Sequence, residues 1–393
     1  MVVIASEAKQ SHAQGTWTQK ADFGGTPRMY AIGFAIGTKG YIGTGWNGAG
    51  RNDFWEWDQA TNVWTQKSNV PGPARDEAIG FAIGTRGYIG TGEDTTYIGN
   101  SDFWEWNGDT NSPSYNVWTK KSDFGGGTII AGIGFSIGSK GYIGTGQGNS
   151  SVNGFWEWDQ ATNVWKQMAD FLGGFRLNAI GFSIGTKGYI GTGQNHMQEF
   201  QDFWEWNQTT NIWTQKSDFA GGKRLGATSF SIGTKGYIGL GYPGQSDFWE
   251  WDQTTNAWTQ LSNFQGASRS FATGFSIGTK GYIGTGDTTG NSTVAKDFWE
   301  FDPSGNGVNE IENKISVSVF PNPSSGIISI KSDKEISSIE ILNVLGEKVY
   351  SSSNNTHLTT YKIDLGKQPK GIYFYRVAVS SAGEVATGKI IIE

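Results

Sequence analysis

Five arginines stand in register along the chain. Arg28, Arg75, Arg176, Arg224 and Arg269 each lie six residues before a phenylalanine (Phe34, Phe81, Phe182, Phe230 and Phe275), and only Ile129 breaks the series. A guanidinium offers a rigid fork of donors that holds a carboxylate or sulfate bidentately. Five of them at the start of an innermost strand would ring one mouth of an axial channel and bind an anion there. The alternative is that each pairs with a nearby glutamate or caps backbone carbonyls inside its own repeat. Two residues further on the copies disagree: Tyr30, Glu77, Ala131, Asn178, Gly226 and Phe271. With a strand period of two they point to the same side as the arginines, and variation among otherwise repeated units is what a ligand site would show.

A second pattern also carries chemistry. The stretch Asp53 to Asp58, DFWEWD, sets a carboxylate between two tryptophans, which suits a sugar platform or an active-site acid. Its glutamate recurs as Glu56, Glu105, Glu157, Glu205, Glu250 and Glu300. One asymmetric ligand needs different groups on different repeats, so identity in every copy tells against catalysis. On a strand, Trp55 and Trp57 share one face while Phe54 and Glu56 share the other. The tryptophans are therefore expected to fill the core between repeats, leaving partly buried glutamates in need of partners.

Further candidates lie in loops that differ between repeats, spanning 46–53, 93–102 and 194–202. Trp46 and Tyr97 could stack on a sugar ring, and His196 sits beside Glu199 and Phe200. Catalytic and metal signatures are poor. GTGWNG at 43–48 fits a dinucleotide-type glycine pattern, but a strand follows where that site needs a helix. There are three histidines, His12, His196 and His357, and no cysteine, so neither a multi-histidine metal site nor a thiolate nucleophile is expected. No cofactor is expected either. A net charge of -6 without a basic run argues against nucleic acid. No apolar stretch reaches the ~18 residues of a membrane-spanning helix.

The elements that must position these groups are repeats. GYIGTG, with GYIGLG once, places its tyrosine at Tyr41, Tyr88, Tyr142, Tyr189, Tyr237 and Tyr282, at spacings of 47, 54, 47, 48 and 45 residues. Each unit reads as four strands. Ala35-Ile36 and Tyr41-Ile42 form a hairpin around Gly37, Thr38, Lys39 and Gly40. Phe54–Trp57 is the third strand, and Val63–Gln66, after the turn Asp58–Asn62, is the fourth. Sheets repeating at this period stack as blades around an axis. The sixth unit lacks a fourth-strand tryptophan, and Trp17, in TWTQK, matches the missing one. The fold expected is all-β, a six-bladed propeller closed by its N-terminal strand, which removes open edges.

The glycines after the second strand, the Trp57-Asp58 step and the later Trp64 resemble the kelch repeat, in that order, over residues 16–303. Gly-Thr-Gly or Gly-Leu-Gly stands where kelch proteins carry Gly-Gly. Kelch propellers include binding modules and enzymes, so the resemblance implies fold before function. The absence of cysteine excludes the copper-radical oxidase chemistry of some members. Sialic acid epimerases with six kelch blades are a closer analogy, although no acid–base pair can be assigned by spacing.

After a polar linker, 304–314, the tryptophans stop. Residues 315–393 alternate in short strands, which suggests a small Ig-like β-sandwich. Phe320-Pro321-Asn322-Pro323, NVLGEKVY at 343–350, GIYFYRV at 371–377 and the terminal GKIIIE resemble the C-terminal sorting domain of the Bacteroidetes type IX secretion system. That resemblance implies export, with the secretion machinery as a partner and the protein secreted or attached at the outer-membrane surface. Residues 1–15 read as a signal-peptide remnant, with a disordered tail as the alternative. The functional expectation is a non-catalytic module binding a glycan or a surface protein. The alternatives are an epimerase or lyase on acidic sugars and a purely structural repeat.

Overall fold

Each repeat alternates large and vanishing side chains, and that alternation decides how the sheets stack. In the computed structural model, which describes residues 14–148, 153–288, 293–306, 317–353, 358–379 and 385–393, the first repeat forms four antiparallel strands: Ile32–Ile36, Lys39–Gly43, Phe54–Asp58 and Val63–Lys67. Five further four-stranded sheets repeat this order, making six blades. In the sixth, Gln14–Lys20 pairs with Phe298–Asn306 as the outer strand, Trp17 opposite Phe301. The first strands of consecutive blades contact one another around the axis, and that of blade 6, Thr273–Ile277, meets Ile32–Ile36 of blade 1.

Aromatic rings join the blades. Phe34, Tyr41 and Phe54 stack within blade 1, with neighbouring centroids 5.5 Å apart. Trp106 of blade 2 then packs across them, 5.0 Å from Tyr41 and 5.3 Å from Phe54. Trp57 lies in the same way 5.0 Å from both Tyr282 and Phe298 of blade 6. Both tryptophans are fully buried, each worth about 3 kcal/mol of apolar burial. Glu56 faces away from its flanking tryptophans, accepts a 2.8 Å hydrogen bond from the Tyr41 hydroxyl and forms ion pairs with Lys39 and Lys67.

The hairpin turn is tighter than the sequence suggests. Ile36 pairs with Lys39, leaving the two-residue turn Gly37-Thr38, with Gly37 at φ +59°. Gly40 belongs to the strand. A Cβ there would come within 2.4 Å of the Phe275 ring of blade 6, so the residue is glycine to admit a neighbouring blade. Gly87 under Phe34 and Gly141 under Phe81 repeat the contact.

The chain divides into two compact units, Met1–Val308 and Asn309–Glu393. Residues 307–316 hold most of the expected linker and lie outside the described residues, as do 1–13 of the N-terminal stretch and His12 and His357. The second unit has two antiparallel sheets. One contains Val317–Phe320, Ile327–Ser332 and Thr360–Asp364; the other contains Lys348–Ser353, Ile336–Leu342, Gly371–Val379 and Val385–Ile392. Ile328, Ile330, Ile339, Ile341, Val377 and Ile390 fill the core of this unit.

Candidate ligand-binding site

The arginines do not line a mouth. Arg28 is completely buried, its Nη1 and Nη2 donating to Asp53 at 2.6 and 2.7 Å, Nη1 also to the Thr44 carbonyl and Nε to the Thr26 carbonyl. Arg75, Arg176, Arg224 and Arg269 are likewise buried and hold Asp102, Asp202, Asp247 and Asp297. Arg28 also lies over the Phe23 ring, 4.9 Å from its centroid. The anion-binding ring expected from register is therefore corrected to five intrablade fasteners, and the partner is the aspartate opening DFWEW, not a glutamate. A guanidinium without solvent must satisfy its donors inside the fold; the bidentate carboxylate and two carbonyls do this for Arg28, while the Nε–H of Arg176 and of Arg224 has no partner among the described residues. The fork holds the Asp53 carboxyl below the ordinary range against the opposing effect of burial.

A signal for this pairing was present in the sequence. The one blade with Ile129 in place of arginine also carries Gly154 in place of the aspartate. Joint loss within a single repeat marks two residues that serve each other.

The cavity lies one step inward. Tyr30, Glu77, Ala131, Asn178, Gly226 and Phe271, with the small residues that follow each of them, line a cup of about 160 Å³ on the axis. It leads into a channel walled by Ala, Ile, Gly, Thr and Ser of the innermost strands. All six adopt left-handed backbone geometry, φ +50° to +60°, which costs about 1 kcal/mol or more for each residue with a Cβ. A chain of backbone hydrogen bonds between blades offsets this: Tyr30 N–H donates to Phe271 O, Phe271 to Gly226, Gly226 to Asn178, Asn178 to Ala131 and Ala131 to Glu77, at 2.8 to 3.3 Å. The repeated frame thus turns six unlike residues onto one rim.

Two groups give the cup its character. The Tyr30 and Phe271 rings meet with centroids 4.4 Å apart. Glu77 stands beside Asp76 and Glu93, which pair across a short two-stranded ribbon. None of the three carboxyls has a side-chain hydrogen-bond partner among the described residues. Burial, with the neighbouring Asp76 and Glu93 charges, pushes the Glu77 carboxyl up to about 8. Burial and then Glu93 push Asp76 up to about 7. Burial and the same acids raise the Tyr30 phenol. Among the described residues no lysine or arginine lines the cup.

Of the residues singled out by sequence, the fold brings Tyr30, Glu77 and Asn178 together. Trp46, Tyr97 and His196 lie on loops outside the cup lining. The Trp46 loop adjoins the rim, because Trp46 exchanges two backbone hydrogen bonds with Met29, next to Tyr30. Its side chain is half-buried. Tyr97 is 80% exposed, and exposed His196 leans on Phe175 with ring centroids 5.4 Å apart. Asp76 and Glu93 escaped the sequence reading, although the adjacency of Asp76 and Glu77 in a chain with few charged residues was visible. Among the described residues no set of three or more metal-ligating side chains is grouped to hold an ion.

Blades of this geometry, closed by the N-terminal strand and joined to a separate sandwich, define an all-β propeller with an appended C-terminal domain. Residues 318–393 match the family of the secretion system C-terminal sorting domain. The chain is accordingly an exported protein that engages the type IX secretion machinery, secreted or attached at the outer-membrane surface. Its fold is similar to that in "Structure of YjhT", a kelch-type propeller, with a TM-score of 0.58 and 16% identity over 71% of this chain and 96% of that one. No curated protein shows significant similarity to the chain.

Proposed function

We propose that the propeller is a non-catalytic binding module that takes the end of a surface glycan into its axial cup. One observation carries this reading. On a frame repeated six times, the six rim positions hold six different residues, and these line a cavity with two aromatic rings and with polar groups that have no side-chain partner among the described residues. Ring stacking plus a few polar anchors is the chemistry of sugar recognition. A glycan array probed with the full chain tests it, and Tyr30→Ala and Asn178→Ala should each weaken any hit by tenfold or more, taking ~1.4 kcal/mol per decade. Hits insensitive to both variants would place binding elsewhere, and an array without hits would leave a purely structural surface repeat.

The alternative of an enzyme acting on acidic sugars loses the arginines that were to hold the substrate carboxylate. What favours some chemistry is Glu77, largely protonated near neutral pH and close to Tyr30, a placement that suits a general acid. Incubating array hits with the protein and following them by NMR tests for turnover.

A further inference from the structure

A binding cup with one carboxyl in its wall, two more beside it and no cation among the described residues lining it is an unfinished electrostatic arrangement. Glu77 lines the cavity, and Asp76 and Glu93 lie near enough to perturb it. Asp76 is only 7% exposed yet makes no side-chain hydrogen bond with the described residues. The nearest arginine in sequence, Arg75, is committed to Asp102, and the other charged group influencing the rim, Asp287, is acidic too. Burying carboxyls together without a partner is unfavourable, and no side-chain hydrogen bond or ion pair among the described residues compensates it here. Beside the acids in the ring of blades, the Tyr30 and Phe271 rings, 4.4 Å apart, line the same cavity.

We infer that the cup selects a glycan terminus bearing a protonated amine, an amino sugar, with the ammonium held between the Glu77 carboxylate and the Tyr30–Phe271 pair. The inference rests on reading the cup as the glycan site. An ammonium over an aromatic face is attracted to its quadrupole, and a carboxylate supplies the charge-assisted hydrogen bond. The arriving cation would favour the ionised form of Glu77, so the carboxyl proton leaves to solvent as the ion pair forms. Acetylating the amine removes the charge, the donor strength and the reason for proton release together.

The test compares a β-1,4-linked glucosamine tetramer with its N-acetylated counterpart by titration calorimetry on the full chain at pH 5.5, where the amines are already protonated and Glu77 is neutral before binding, in two buffers of different ionisation enthalpy. The amine form should bind about tenfold or more tightly than the acetylated form, the size of one charge-assisted hydrogen bond, and should release close to one proton. Glu77→Gln keeps the shape of the neutral carboxyl but cannot ionise, so it should abolish both the preference and the proton release while thermal unfolding shows it folded. Equal or tighter binding of the acetylated tetramer, or array hits confined to glycans without amines, would overturn the inference and leave the glycan reading standing. Failure of every glycan on the array would remove both. Binding of spermidine as tight as that of the glucosamine tetramer would overturn amino-sugar selection in favour of a bare amine.

Discussion

Blade 3 supplies a natural reference for what the arginine fasteners contribute, because it has already lost both partners. Consider Arg28→Ile, Asp53→Gly and the double variant, which convert blade 1 to the residues blade 3 carries. The two single losses are unequal. Asp53→Gly leaves a guanidinium with no exposed surface and two donor groups unmatched, a buried uncompensated charge that costs about 3–5 kcal/mol. It also strips the Trp55 indole N–H of its acceptor, about 1 kcal/mol more. Arg28→Ile leaves Asp53, whose side chain keeps 21% of its exposure and can draw on water, so about 2–3 kcal/mol is expected. The double variant strands no charge. It loses the acceptor for Trp55 and the donors to the Thr26 and Thr44 carbonyls, for about 2 kcal/mol in total.

A double-mutant cycle by urea denaturation should therefore give a coupling of at least about 2 kcal/mol, with the double variant more stable than Asp53→Gly alone. In a domain of this size each kcal/mol moves the melting midpoint by roughly 2 °C, so calorimetry resolves the same order. Additive losses would refute the claim that these arginines serve only their aspartates. So would a soluble anionic sugar whose binding disappears in Arg28→Ile, because that result would put the guanidinium back at the ligand.

Three further expectations concern the frame and the cup. Asp76 and Glu77 have folded pKa values raised to about 7 and 8, so between their unfolded values and these the native state binds more protons. Their contribution is present at low pH and is lost as pH rises, by up to about 1.4 kcal/mol per pH unit for each group; the double variant Asp76→Asn/Glu77→Gln should flatten the fall in melting temperature between pH 5 and 8, and an unchanged profile would contradict the crowding. Gly141→Ala would bring a Cβ to 2.2 Å from the Phe81 ring and should cost about 1–3 kcal/mol, measured by urea denaturation. Trp17→Ala removes the ring packed among Phe248, Phe264 and Phe301 and its hydrogen bond to the Ser262 carbonyl, so the propeller should lose about 3 kcal/mol in its own single calorimetric transition, and a splitting of that transition, absent from the unsubstituted chain, would show that closure is local.

Periodicity made the blades legible because every copy solves the same packing problem. Phe54 and Glu56 meet the same tyrosine position in each sheet, so identity across copies reads directly as structure. The sequence misread Gly40 because a glycine beside a turn resembles a turn residue, whereas its requirement comes from Phe275, more than two hundred positions away. For Arg28 and its equivalents the ring reading failed and the intrablade alternative held, for a related reason: five charges in register look like a surface, and their burial depends on Asp53-type partners supplied by another segment of the blade. The correcting clue was a paired absence, Ile129 with Gly154. The same logic separates frame from function at the rim. Arg28 and Tyr30 are two residues apart, yet the first recurs in five blades with its partner and the second in none. The left-handed backbone shared by all six rim residues shows that the frame fixes where each side chain goes and leaves its identity free. That freedom has placed a carboxyl-rich sector at Glu77 beside an aromatic pair at Tyr30 and Phe271, an asymmetry that packing alone does not require.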